Sequence, residues 1–221
     1  MRLRLPEERP TEPPTGYKIA RPVLSHDGTR AAFTGVSLGA GLPYGVLDEA
    51  RCVYGRRHSA PNRRCDCGFH CVHDRATAEG LLCTAEHRGA VLLEVTVLGV
   101  YIRFERGFRY ARQRVRTATV PPCGCGAAAT LLAAAPWGRP GWRALEPACG
   151  RCRGTRQAVS AAEFARLAGE GLRVVTAAPQ ASVGGFSALG MPELVAEAAL
   201  LQARLDWFQA ELARLAGDQR G

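Results

Sequence analysis

The chain has 221 residues, a formal net charge of +9 at pH 7 and a hydrophobic fraction of 47%. This is enough apolar material to bury a core, so the fold need not rely on metal alone. No apolar run reaches the roughly 18 residues that span a bilayer, and the N-terminal stretch lacks the apolar segment of a secretory signal, so we expect a cytoplasmic protein with no membrane contact. Lys18 is the only lysine. Arginine therefore carries almost all of the basic charge, which favours anionic partners. Part of the arginine excess reflects a compositional bias and not ligand binding.

Loop-forming residues divide the sequence into five predicted regions. The central part mixes short apolar segments with Gly, Pro and Asp, a pattern that indicates an α+β core. In chain order we expect a flexible arm (1–15), a zinc-containing α+β core (16–120), a zinc-ribbon unit with a helix (121–175), a linker (176–190) and an amphipathic, coiled-coil-like helix (191–217).

Two segments of the core have the composition of strands. Residues 89–104 are rich in apolar and β-branched side chains, and residues 107–120 alternate in polarity, so they are predicted to be neighbouring strands. Because side chains alternate along a strand, Arg112, Arg114 and Arg116 are expected on one face.

Two helices are predicted from their capping residues. The first covers 74–83 with Asp74 as its N-cap. The second covers 160–171 and opens with a capping box formed by Ser160 and Glu163.

The nine cysteines cluster at metal-ligand spacings, and a reducing compartment favours metal over disulfides. The first set has the pattern C-x5-H-x6-C-x-C, with four nitrogen or sulfur ligands of the kind that tetrahedral zinc takes in structural sites. Its members are Cys52, His58, Cys65 and Cys67. A rival local set consists of Cys65, Cys67, Cys71 and His73. We prefer the wider set because Cys52 and His58 otherwise have no evident purpose.

The second set consists of two cysteine pairs separated by about two dozen residues, which is typical of a zinc ribbon with an intervening hairpin. Its members are Cys123, Cys125, Cys149 and Cys152. Neither set leaves a ligand position open, so we expect two structural zinc ions and no hydrolytic zinc chemistry. Cys71 and Cys83 are not assigned to either set. Cys71 follows His70 and is either a thiol nucleophile or an inert thiol beside the metal.

Several of these motifs together resemble a known family. The chain contains "GYKI", then "HSAP" and "CDCGFHC", then "LLEVTVLG". This order is similar to a widespread bacterial and phage family without an assigned activity, whose centre reads H-x-A-P…C-x-C-G-[IF]-[YH]. The resemblance covers about residues 16–120.

The same block also resembles the ADP-ribosyltransferase fold of poly-ADP-ribose polymerases. Gly68–Cys71 stands at that fold's first element, the segment 74–81 at its short helix, and Leu93–Gly99 at its second strand. The resemblance implies a small split-sheet α+β core and, as an alternative function, an NAD-using enzyme or an inactive relative. Glu105 and His70 would then be the catalytic or pocket residues. The opening "GYKIARP" lacks the His-Gly or Arg-Gly pair of that family's nicotinamide pocket, so the resemblance supports the fold more than the activity.

Our first hypothesis is a non-catalytic binding or regulatory module that contacts protein or nucleic acid. The densest basic run, 103–116, interleaves arginines with Phe104, Phe108 and Tyr110. Arginines could contact phosphates while aromatic rings stack on bases. The candidates are Arg109, Arg112, Arg114 and Arg116. A solvated sheet face in an arginine-rich protein is the alternative.

The C-terminal segment 191–217 has an apolar seam at alternating spacings of four and three residues. Its members are Leu194, Ala198, Leu201, Leu205, Phe208, Leu212 and Leu215. The strict 3.5-residue period predicts a homodimer or docking onto a partner's helix. A helix docked on its own core would show a similar stripe.

Overall fold

The computed structural model describes residues 12–36 and 42–178. All of them belong to one compact unit that spans residues 1–180. No helix among the described residues has the length and apolar character needed to cross a membrane.

Strands dominate the described part of the chain, which contains ten of them and three α-helices. The strands are β1 (Thr15–Ser25), β2 (Ala31–Thr34), β3 (Leu47–Glu49), β4 (Phe69–Val72), β5 (Val91–Phe104), β6 (Gly107–Val120), β7 (Leu131–Arg139), β8 (Trp142–Ala148), β9 (Ala158–Ser160) and β10 (Arg173–Thr176). The helices are α1 (Arg75–Leu82), α2 (Gly150–Arg153) and α3 (Ala161–Ala168), and a 3-10 turn covers Ala85–His87.

Strand β6 organises one half of the sheet. Its first edge pairs with β5 along nearly its whole length. Its second edge pairs in turn with β4, β3 and β10, and the β6–β10 pairing is the one parallel contact among the described strands. Because β1 pairs with both β5 and β4, the pairings among β1, β5, β6 and β4 form a closed ring.

Strand β1 connects the two halves of the sheet. Its first half pairs with β5, and its second half pairs with β2 and β8. Beyond β8 follow β7 and then β9. One hydrophobic cluster extends through both halves. Within it, Phe33 of β2 packs edge-on against Phe164 of α3 with ring centroids 5.5 Å apart.

The strand and helix boundaries follow the sequence patterns closely. The predicted strands 89–104 and 107–120 are confirmed as β5 and β6. Asp74 caps α1 by accepting a hydrogen bond from the Thr77 N–H at 2.7 Å. Ser160 caps α3 by accepting from the Glu163 N–H at 3.1 Å. Local capping chemistry therefore fixes both helix starts.

The predicted split-sheet α+β core is wrong. Among the described residues 46% lie in strands and 14% in helices, and the strands join into one large, mostly antiparallel sheet. The physical reason is that β8, expected in a separate zinc-ribbon unit, hydrogen-bonds to β1 of the core. The ribbon segment therefore extends the core sheet and does not form a module of its own.

Three of the predicted regions fall largely or wholly outside the described residues. They are most of the arm 1–15, most of the linker 176–190, and the whole helix 191–217 with its seam from Leu194 to Leu215. Thr15 and Thr176, at the inner edges of the arm and the linker, are strand residues of β1 and β10.

Candidate metal centres

The first centre lies in the loop between β3 and β4. The four predicted ligands Cys52, His58, Cys65 and Cys67 converge there, with their sulfur and nitrogen atoms all within 4.8 Å of one another. The Cys52 and Cys65 sulfurs are 3.8 Å apart, and the His58 Nε2 lies 3.1 Å from the Cys67 sulfur. The four residues could hold one metal ion.

These separations fit a tetrahedral metal and not a disulfide. Metal–sulfur bonds of about 2.3 Å in a tetrahedron place two sulfurs roughly 3.8 Å apart, whereas a disulfide needs about 2.05 Å. All nine cysteines are free thiols. The centre therefore has the spacing of a ligand shell.

Backbone groups of the same loop stabilise the anionic form of one ligand. Burial raises the pKa of Cys52, but the N–H groups of Arg56 and Tyr54 donate hydrogen bonds to its sulfur, and its pKa falls below the ordinary value. The turn is closed by a hydrogen bond from the Gly55 N–H to the Cys52 carbonyl at 3.2 Å. Amide groups directed at a thiolate are the usual partners of a cysteine metal ligand.

Arg109 of β6 attaches this loop to the sheet. Its side chain is only 8% exposed. The guanidinium donates to the carbonyl oxygens of Cys65 at 2.5 Å and Asn62 at 3.2 Å, and it lies 3.4 Å from the Asp66 carboxylate. Because both carbonyls belong to the ligand loop, one buried cation fixes the position of the first centre against the sheet.

Gly68 makes the close approach of loop and sheet possible. Its φ is +131°, a conformation that L side chains rarely adopt, and a Cβ there would lie 2.9 Å from the Arg109 side chain. Glycine is therefore needed where the loop enters β4.

The rival ligand set is not brought together. Cys71 lies in the hydrophobic core at 7% exposure, and burial raises the pKa of its thiol to about 11. His73 instead lies with its Nε2 3.0 Å from the Phe104 carbonyl oxygen and packs edge-on against Phe108. Cys71 and His73 both lie outside the two groups of converging ligands, and a raised pKa disfavours the thiolate form that a nucleophile needs.

The second centre joins the entry and exit of the β7–β8 hairpin. Cys123, Cys125, Cys149 and Cys152 converge with their sulfurs within 4.8 Å of one another, and the Cys125 and Cys149 sulfurs are 3.7 Å apart. The segment between the pairs forms an antiparallel hairpin, as the spacing predicts. These four cysteines could hold a second metal ion.

Short turns present the thiols of this centre. The Gly126 N–H donates to the Cys123 carbonyl at 2.7 Å. Cys149 is the N-cap of α2, and the Cys152 N–H donates to its sulfur at 3.4 Å. That hydrogen bond, together with those from the neighbouring cysteine thiols, lowers the pKa of Cys149 to about 6.

The arginines predicted to contact nucleic acid have different environments. Arg109 is buried and bonded to the ligand loop, which corrects the expectation that it contacts phosphate. Arg112, Arg114 and Arg116 share a face that alternates with buried Gln113, Val115 and Thr117. On that face Arg112 pairs with Glu49 at 3.7 Å, and Arg116 donates to the Thr96 hydroxyl at 2.9 Å.

The two residues implied by the ADP-ribosyltransferase resemblance lie on different elements. Glu105 is exposed in the turn between β5 and β6, and His70 lies in β4 opposite Arg109. Burial and the charges of Lys18 and Arg109 lower the pKa of His70. A shallow cavity between β7, β8 and the segment 156–157 contains neither residue.

The sequence prediction missed a basic group beside the first centre. Five arginines of the ligand loop are exposed: Arg51, Arg56, Arg57, Arg63 and Arg64. Their density, five of the fourteen residues 51–64, is the sequence signal that could have found them. The same segment contains the metal ligands, which indicate coordination and give no sign of a second, basic site.

A comparison of the chain with models of known protein families, with curated proteins and with solved structures finds no match.

Proposed function

We propose that the protein is a zinc-stabilised, non-catalytic binding module whose two metal ions hold the contact surface in place. The observation that carries the proposal is the convergence of two complete four-ligand groups, one with three sulfurs and a nitrogen and one with four sulfurs. Tetrahedral sites of this composition are the usual structural sites of zinc.

Ligand chemistry supports zinc over other common ions. Thiolates and imidazole favour zinc, whereas magnesium and calcium require oxygen ligands. Iron also binds four-cysteine centres. Zinc accounts for both centres with a single kind of metal, because it accepts four cysteines as readily as three cysteines and one histidine.

Closed coordination supports a structural role. Catalytic zinc uses three protein ligands and keeps the fourth position for water or substrate. Each group here supplies four ligands, so a bound ion has no position left at which to activate water.

The position of the centres supports a role in presenting a surface. The first centre fixes the irregular loop between β3 and β4, and the second fixes the ends of the β7–β8 hairpin. The net charge of +9 favours an anionic partner. Contact with a partner protein through the segment 191–217 stays a prediction of the sequence.

Site-specific removal of ligands tests this function. Cys67→Ser and Cys149→Ser should each reduce the zinc content from two ions to one per chain and lower the thermal midpoint by roughly 10 °C or more, because binding energy at a structural site is folding energy. Cys83→Ser is the matched control, since Cys83 is an exposed cysteine outside both groups. Wild-type protein that contains no zinc, or ligand variants as stable as the control, would contradict the proposal.

A further inference from the structure

We infer that the exposed face of the first metal loop is a binding site for single-stranded nucleic acid; the inference rests on the proposed function, because the metal holds this loop. The face, here called the arginine loop, covers residues 51–64 with Arg51, Arg56, Arg57, Arg63, Arg64 and Tyr54 as its contact residues.

The charge of the arginine loop exceeds what composition alone explains. Five of its fourteen residues are arginines, against 29 basic residues among 221 in the whole chain. The loop contains no acidic residue between Arg51 and Arg64. The nearest acidic residues in sequence are Glu49, which pairs with Arg112, and Asp66, which lies beside Arg109.

The arginines of the loop are available to a ligand. All five are exposed. Within residues 12–36 and 42–178, the side chains of Arg51, Arg57, Arg63 and Arg64 make no salt bridge or hydrogen bond. Arginine side chains that are free of carboxylates keep their donors for phosphate oxygens, and each phosphate they neutralise releases counterions.

An aromatic ring lies among these charges. Tyr54 is 61% exposed and its neighbour Val53 is 63% exposed. The Arg56 guanidinium lies 5.8 Å from the centroid of the Tyr54 ring. An exposed ring beside arginines offers a stacking surface for a base, and a base is free to stack only where it is not paired in a duplex. This feature favours a single strand over a duplex or an acidic peptide.

The loop is held in shape before any ligand arrives. Two of its residues, Cys52 and His58, belong to the first centre, and the other two ligands, Cys65 and Cys67, follow within three residues of its end. Arg109 donates to the carbonyls of Asn62 and Cys65. A preorganised loop loses less conformational entropy on binding. The Ala50 N–H also donates to the Ala111 carbonyl at 2.6 Å, which attaches the start of the arginine loop to β6.

The test uses zinc-loaded full-length protein and fluorescence anisotropy with a labelled mixed-sequence strand of about 20 nucleotides, as RNA and as DNA, and with the matching duplex. The double variant Arg57→Glu/Arg64→Glu is compared with Arg88→Glu/Arg166→Glu, which makes the same charge change at exposed arginines outside the loop and outside both metal centres. We expect roughly a tenfold or greater loss of affinity for the loop variant, at most about a twofold loss for the control, and a smaller dependence on salt for the loop variant. Tyr54→Ala should weaken single-strand binding by roughly tenfold.

Four outcomes would overturn the inference: equal losses in the two double variants, tighter binding of the duplex than of the strand, unchanged binding after Tyr54→Ala, or equal competition by polyglutamate. Zinc content and thermal midpoint are measured for every variant. Wild-type protein that holds two zinc ions but does not bind the strand overturns this inference and leaves the proposed function intact. Wild-type protein without zinc overturns both.

Discussion

Replacement of Arg109 by methionine should release the first metal loop from the sheet. The side chain is buried and donates to two carbonyl oxygens of the loop, at Cys65 and Asn62. Methionine replaces the aliphatic part of the arginine side chain but has no hydrogen-bond donor. Both carbonyls then lose their partner at the point where the loop meets β6.

The expected effect follows from the two hydrogen bonds. A hydrogen bond from a charged donor contributes about 1.5–3 kcal/mol. Part of this is offset because the variant no longer buries a guanidinium whose carboxylate partner, Asp66, is 92% exposed. The ligand loop should therefore lose about 2–4 kcal/mol of stabilisation in its metal-binding conformation. This loss weakens metal binding at the first centre by roughly 30-fold to several-hundred-fold.

Competition with a graded series of zinc chelators measures this change. Wild-type protein and Arg109→Met are titrated, and the two ions are followed separately by the visible spectrum of the cobalt-substituted protein, in which the mixed centre with a histidine differs from the four-cysteine centre. Arg116→Met is the matched control, because Arg116 lies on the same strand with its guanidinium bonded to the hydroxyl of Thr96. Arg109→Met with wild-type affinity at the first centre would refute the reasoning. If both centres lose metal together, Arg109→Lys, which keeps one charged donor, should restore part of the first-centre affinity.

Three further predictions concern the sheet. Burial lowers the pKa of Lys18 from 10.5 to about 8, so the unfolded chain binds more protons between these values and wild-type stability rises with pH across that window. In urea unfolding the wild type should therefore gain about 3 kcal/mol relative to Lys18→Met between about pH 7 and pH 10.5, and a difference that does not change with pH would contradict this. Gly107→Ala should separate β4 from β6, because its Cβ would overlap the Cys71 carbonyl oxygen, and should lower the thermal midpoint by several degrees. Gly35→Ala, with no atom within 4 Å of its Cβ, should leave the midpoint unchanged. Ser160→Ala should cost about 1 kcal/mol in the same assay through loss of the α3 cap, and an unchanged midpoint would contradict that role.

The sequence was most informative where local chemistry decides the structure. Alternation and β-branched residues predict β5 and β6, Asp74 and Ser160 mark two helix starts, and cysteine spacing predicts two ligand groups that the structure brings together. These features depend on residues close together in the chain, and their physical causes can be read from a short window.

The arrangement of the sheet depends on contacts between distant segments. Nothing within 131–148 alone indicates that β8 pairs with β1, more than a hundred residues earlier. The short strands β3 and β10 have no strong pattern and form because β6 offers them an open edge. The burial of Arg109 has the same origin, because its carbonyl partners are 44 and 47 residues away.

Zinc K-edge absorption on the purified full-length protein, combined with elemental analysis, tests the central claim most directly. The two groups contain seven sulfur ligands and one nitrogen ligand. We therefore expect two zinc ions per chain, with an average of 3.5 sulfur and 0.5 nitrogen neighbours per ion and zinc–sulfur distances of about 2.3 Å. One ion or none per chain, or a shell dominated by oxygen, would contradict the account.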